Sequence, residues 1–178
     1  MALKATIFKV ELQLTDLDRN YYQTHALTLA RHPSETDERM MMRVIAFALH
    51  AHANLEFGKG LSADDEPDLW RKDLTGAVEQ WIEVGLPDEK RLRRACGRAD
   101  EVIVLTYGGR TAELWWEQNR SQLQKLDKLQ VIDLPAEQTA ALAGQVERGM
   151  QISCTIQESE LWLVIDGQTL HITPVARK

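Results

Sequence analysis

Between Asp68 and Leu105 the hydrophobic periodicity changes from strand to helix and back to strand, and few architectures accommodate that order. Asp68 to Asp73 and Val78 to Gly85 read as two short strands joined through Leu74-Thr75-Gly76-Ala77. On the second, Glu79, Trp81, Glu83 and Gly85 share one face, while Val78, Gln80, Ile82 and Val84 share the other. Pro87 and Asp88 then open a helix whose inward stripe is Leu92, Ala95, Cys96 and Ala99, with Lys90, Arg91, Arg93, Arg94 and Arg98 opposite. Val102 to Leu105 is a continuous apolar run, which suits a strand buried on both faces of a sheet. A strand-strand-helix-strand unit of this kind predicts an α/β domain with a mixed central β-sheet and flanking helices.

The flanking segments extend that unit. Thr6 to Leu14 alternates, with Phe8, Val10, Leu12 and Leu14 on one face, and Tyr21 to Arg31 alternates again after a polar turn. An N-terminal antiparallel hairpin follows from this. Ser34 is placed to cap a helix with Asp37 at its third position, and the stripe Met41, Val44, Ile45, Ala48 and Leu49, continued by His52 and Leu55, has the helical period. A further helix from about Thr111, a strand over Leu129 to Leu134 and a short helix from Pro135 to about Gln145 come next. C-terminal antiparallel strands are expected over Gln151 to Gln157, Leu161 to Ile165 and Gln168 to Val175, the last two joined by the hairpin dipeptide Asp166-Gly167.

Composition narrows the class. With 178 residues, 44% of them hydrophobic, and no Pro/Gly/Ser-rich linker, a single domain over residues 1–178 is expected. Cys96 and Cys154 form no CxxC pair, and no apolar stretch approaches the roughly 20 residues that span a bilayer. A soluble cytoplasmic protein with reduced thiols and no membrane partner is the expectation, with a monomer as the default. The net charge of −6 argues against nonspecific coating of nucleic acid, although local basic patches still admit it as a partner.

The chemistry concentrates at two acidic clusters, Glu66-Pro67-Asp68 and Glu83-Val84-Gly85, at the start and end of the expected hairpin. Phosphodiesterases of the PD-(D/E)XK type present metal-binding carboxylates in this layout. Asp68 and Glu83 are positioned to converge on one Mg²⁺, with the Val84 carbonyl as an added oxygen ligand and Glu38 supplying an outer or second-metal carboxylate. The position two after Glu83 carries lysine in that motif, because the spacing keeps both side chains on one strand face. Here it is Gly85. Lys72, on the same strand face as Asp68, is the first candidate to replace it, and Lys90 or Arg91 the second. Glu38 also has a bland reading, as an acid complementing the positive end of its helix. A solvated surface is likewise the ordinary explanation for the basic run from Lys90 to Arg98.

Longer segments carry more information than these dipeptides. Arg31-His32-Pro33-Ser34-Glu35-Thr36-Asp37-Glu38-Arg39-Met40, together with Trp81-Ile82-Glu83-Val84-Gly85-Leu86-Pro87-Asp88, closely resembles the YaeQ family of small bacterial proteins. The resemblance covers essentially the whole chain. It implies a compact, restriction-endonuclease-like fold around a variant PD-(D/E)XK core, in a family without an established biochemical activity. It also implies that Glu38, Asp68 and Glu83 occupy the acidic positions and that Gly85 is a family feature.

Other chemistries find little support. His25, His32, His50, His52 and His171 show no HExxH or Cys/His spacing. No serine stands in a Gly-x-Ser-x-Gly elbow, and Gly58-Lys59-Gly60 and Gly108-Gly109 lack the surroundings of a phosphate loop. Trp70 and Trp81 offer base-stacking surfaces, with packing as the default explanation. Two functions remain: Mg²⁺-dependent phosphodiester hydrolysis of nucleic acid using Asp68, Glu83, Glu38 and Lys72 or Lys90, and a catalytically inactive nucleic-acid- or protein-binding protein on the same fold.

Overall fold

Helix α1, Asp37–His50, is buried from Met40 through Ala48 without a break, so it has no solvent face along its middle. Such a helix must be enclosed on all sides. The computed structural model, which describes residues 4–59, 61 and 64–178, shows what encloses it. Two mixed sheets lie on either side of α1, and four helices complete the described residues. A second sheet thus stands beside the mixed sheet that the sequence leads one to expect. The N-terminal hairpin and the C-terminal strands form a sheet of their own, because residues far apart in sequence meet in parallel.

The first sheet is built from β1 (Thr6–Asp16), β2 (Tyr21–Arg31), β8 (Gly149–Gln157), β9 (Glu160–Ile165) and β10 (Gln168–Ile172), in the order β10-β9-β8-β1-β2. Phe8, Val10, Leu12 and Leu14 face inward as their alternation requires. β1 pairs antiparallel with β2 and parallel with β8. It runs to Asp16, whose buried carboxylate accepts from the N–H groups of Asp18 and Arg19 and from the Arg19 guanidinium, closing the turn. Between β9 and β10, Asp166 and Gly167 have φ of 48° and 76°, the left-handed pair that a two-residue hairpin needs.

The second sheet has the order β11-β7-β6-β5-β4-β3, from β3 (Leu55–Phe57), β4 (Leu69–Lys72), β5 (Val78–Val84), β6 (Ala99–Thr106), β7 (Leu129–Asp133) and β11 (Val175–Ala176). β4 is antiparallel to β5, and β5, β6 and β7 run parallel. Helix α2 (Glu89–Cys96) makes the crossover from β5 to β6, and α3 (Arg110–Leu123) that from β6 to β7. Both cover one face of the sheet, where Trp81, Val102, Val104 and Val131 meet Leu92, Ala95, Trp115 and Trp116. The other face presents Ile82, Val84, Ile103 and Leu105 to α1, beside which lies α4 (Ala136–Ala143). The apolar run of β6 is thus buried on both faces, as its composition requires.

Local details differ from the pattern of the sequence. Thr36, not Ser34, caps α1 by accepting from the Arg39 N–H, while Ser34 engages His32. The helix stops at His50. His52 lies beyond it and accepts from the Asn54 N–H, and Leu55 belongs to β3. Among the described residues no helix is long and apolar enough to cross a membrane.

The enclosure of α1 sets an energetic expectation. Met41→Ala empties space that neither sheet can fill, and should cost about 2–5 kcal/mol. Leu74→Ala, in the exposed β4–β5 turn, should change stability by no more than about 0.5 kcal/mol. Urea unfolding of both variants at unchanged m-value checks the contrast.

Candidate functional site

Antiparallel pairing of Leu69 with Ile82 sets Asp68, just ahead of β4, beside the last residues of β5. Asp68 and Glu83 are both buried and both border a cleft of about 250 Å³. Asp68 Oδ2 accepts from the Val84 N–H at 2.8 Å, and Oδ1 accepts from Arg39 Nη2, also at 2.8 Å. The same Nη2 donates to the Val84 carbonyl at 3.2 Å. Arg39 donates from Nη1 to Glu35 Oε2 at 2.7 Å, and the buried Glu35 is held from its other side by Arg43, at 2.6 Å and 3.1 Å. A continuous relay of charge therefore runs from Arg43 through Glu35 and Arg39 to Asp68.

Glu83 has a separate partner set. Its Oε1 accepts from Trp81 Nε1 at 2.9 Å, two residues back on the same strand face, and from Arg91 Nε at 2.7 Å. Arg91 comes from the first turn of α2, whose start is fixed by the Asp88 side chain accepting from the Arg91 N–H. Its remaining donors reach the carbonyls of Asp64 and Glu66, tying the segment before β4 to the cleft wall. Burial pushes the Glu83 carboxyl above the ordinary range, and the negative Asp68 nearby adds to this, while Trp81 and Arg91 pull the other way. Burial works against the charge of Arg39, yet Asp68 and Glu35 outweigh it and hold the guanidinium more firmly protonated.

Of the residues singled out in the sequence, Asp68, Glu83 and Arg91 are brought together, while Glu38, Lys72 and Lys90 are not. Glu38 is half-buried on the first turn of α1 and lies outside the cleft lining, with its charge felt at Tyr107. Lys72 stands past the register shift in β4, with Nζ 3.7 Å over the Trp70 ring. Lys90 is exposed and also outside the lining. The basic side chain that α2 contributes is its neighbour Arg91. Sequence reasoning missed Glu35, Arg39 and Arg43, although a signal was present. Positions four apart on a helix share a face, and acid, base, base at 35, 39 and 43 is an ion-pair ladder.

The PD-(D/E)XK-type core expected from the sequence would imply Mg²⁺, and the donor set tests that implication. Both Asp68 oxygens, Glu83 Oε1 and the Val84 carbonyl already accept hydrogen bonds, three of these four from guanidinium groups or from a combination that includes one. Arg39 Nη2 donates to Asp68 Oδ1 and the Val84 oxygen together, so the protein's own cation already occupies oxygens that would hold the ion. Among the described residues no group of three His, Cys, Asp or Glu side chains is arranged to hold a metal. The residues as arranged do not fit the ion. Gly85 completes the picture with φ of 108°, a conformation that side-chain-bearing residues rarely adopt, and with open space where a Cβ would stand. The backbone, not crowding, excludes a lysine there.

The comparisons with known proteins agree over almost the full length. The family model described as "YaeQ protein" matches residues 1–174. The chain is 45% identical over 176 residues to the uncharacterized protein YaeQ of Escherichia coli strain K12, covering 99% of this chain and 97% of that protein. Identity to the Salmonella typhi YaeQ is also 45%, over 172 residues, covering 97% of this chain and 95% of that protein. The crystal structure of YaeQ from Xanthomonas axonopodis pv. citri superposes with a TM-score of 0.95 at 48% identity, covering 98% of each chain. That of Pseudomonas syringae YaeQ superposes with a TM-score of 0.94 at 35% identity, covering 98% of this chain and 96% of that one.

Two outcomes follow for the cleft. Arg39→Ala strips Asp68 and Glu35 of a shared cation, and should cost about 3–5 kcal/mol in chemical unfolding. Because the Glu83 carboxyl is held above its unfolded value, the folded protein binds that proton more tightly than the unfolded chain does. Its contribution to stability is present in acid and is lost as pH rises through the folded pKa. Glu83→Gln should therefore flatten the fall in Tm with rising pH above the ordinary carboxylate range, measured against the parent protein.

Proposed function

The chain belongs to the YaeQ family, and from that premise we propose that it is a non-hydrolytic nucleic-acid-binding protein on a variant PD-(D/E)XK core. Supporting the variant core is the unit β4-β5-α2-β6: an antiparallel pair, a crossover helix and a parallel strand, with Asp68 at the start of one strand and Glu83 near the end of the next. The observation that carries the non-hydrolytic reading is Arg39 Nη2, which bridges Asp68 Oδ1 and the Val84 carbonyl. With Arg91 on Glu83 as well, the acids of the cleft are neutralised by the protein's own cations and serve to hold the cleft together.

Nucleic acid is favoured as the ligand by the exposed face of α2. Lys90 and Arg94 stand on it with no partner among the described residues, and Arg98 follows them with its guanidinium over Trp81. These cations contact phosphates without reading sequence, so affinity is electrostatic and falls with salt.

Fluorescence anisotropy with labelled single-stranded, duplex and branched oligonucleotides tests the reading, with denaturing gels of the same samples in Mg²⁺ and Mn²⁺. Binding that weakens with salt, without cleavage, is expected. Lys90→Glu with Arg94→Glu should weaken binding uniformly across sequences and lower the salt slope by about one per phosphate contact removed. Metal-dependent cleavage that disappears in both Asp68→Ala and Glu83→Ala would establish hydrolysis instead. Absence of binding to every oligonucleotide would remove nucleic acid as the ligand.

A further inference from the structure

The two sheets expose very unequal edges. In the second sheet the edge strands are β3 and β11, of three and two residues. In the first, β10 has five residues, and its neighbour α4 reaches the Thr173 N–H and hydroxyl just beyond it through Gln138. The opposite edge is β2, eleven residues long and paired with β1 in unbroken register from Thr6↔Arg31 to Asp16↔Tyr21. Proteins ordinarily protect such an edge with charge, proline, a bulge or a covering element. From Tyr21 to Ala30 the sequence is Tyr-Tyr-Gln-Thr-His-Ala-Leu-Thr-Leu-Ala, with no proline, lysine, arginine or acid.

The backbone polarity of β2 follows from its neighbours. Lys9 donates its N–H to Arg148 on the β8 side of β1, so Val10 turns its groups to β2 and bonds Leu27. Ala26 and Thr28 then direct their N–H and C=O away from the sheet, as do Tyr22 and Thr24. Arg43 donating to the Ala30 carbonyl at 3.2 Å shows the same phase, and it covers only that end. Tyr22, Thr24, Ala26, Thr28 and Ala30 are all exposed.

We propose that β2 is a self-association edge, and that two copies of this chain join through it in antiparallel fashion about a two-fold axis, merging their first sheets into one. The occupant is a second copy because the strand is complementary to itself. Ala26 is the midpoint of Tyr21–Arg31, so an axis there gives the longest ladder and sets Thr24 opposite Thr28 and Tyr22 opposite Ala30. Paired threonines and a tyrosine over alanine are favourable cross-strand neighbours. Arg31 then meets Tyr21. The next register, with Tyr22 opposite Thr28, would instead set Ala30 and Arg31 against residues outside the strand and so shorten the ladder. The surface lies on a different sheet from the cleft, so this inference stands independently of the nucleic-acid reading.

Sedimentation equilibrium over a wide range of protein concentration tests it. The expected result is a mass that rises from monomer to twice monomer. Ala26→Pro removes an outward N–H without touching the β1 ladder, and Thr28→Lys introduces the missing edge charge. Both should remain monomeric where the parent protein dimerises, with unchanged circular dichroism showing that the fold survives. A cross-axis disulfide in Ala26→Cys under oxidising conditions should lock the dimer, since directly opposed hydrogen-bonded residues have Cα atoms about 5.5 Å apart, within disulfide reach. A parent protein that stays monomeric throughout, or a dimer that persists in both edge variants, would overturn the proposal.

Discussion

A guanidinium buried between two sheets cannot remain uncompensated, and that constraint on Arg43 organises much of this protein. Its side chain is about as buried as the methionines around it, at 3% exposure. Glu35 answers it from the loop before α1, and having been drawn inside, Glu35 takes a second partner in Arg39. Arg39 in turn reaches across to Asp68 and so ties the helix to the second sheet. Enclosing α1 and closing the cleft are one event, because each buried charge requires the next.

That coupling gives the acidic pair a structural role that its sequence context conceals. Asp68 grips the Val84 N–H and Arg39; Glu83 grips Trp81 and Arg91. Through Arg91 the second acid also fixes the carbonyls of the segment entering β4. The departure at Gly85 belongs to the same arrangement. The chain leaves β5 through a left-handed conformation while its N–H donates to the Leu105 carbonyl, so a residue bearing a side chain would be strained at the very point where the nuclease motif places its lysine.

The layering also separates two surfaces in space. One sheet, with α2 and α3 on its outer face, carries the cleft and the basic helix surface. The other exposes, among the described residues, its outer face and the long edge of β2. Helix α1 lies between them, so the inner faces of both sheets share one close-packed core.

Local periodicity determined most of the elements. The β2 boundaries, the inward face of β1, the doubly buried β6 and the Asp166-Gly167 hairpin follow from residue spacing, because side-chain alternation and turn chemistry act within a few residues. The placement of Asp68 opposite Glu83 was legible for the same reason, since both lie on one hairpin. What the sequence did not reveal depends on contacts between distant segments. The parallel pairing of β1 with β8, which gathers the N-terminal hairpin and the C-terminal strands into a second sheet, joins residues 140 positions apart. Arg39 and Arg43 lie off the apolar stripe Met41, Val44, Ile45, Ala48 and Leu49, and only the enclosure of α1 on all sides turns them toward buried acids. Glu38, Lys72 and Lys90 lie near the acids in sequence but do not line the cleft: a register shift precedes Lys72, and on α2 it is Arg91 that meets Glu83, because periodicity sets the direction of a side chain and only tertiary packing sets what stands in front of it.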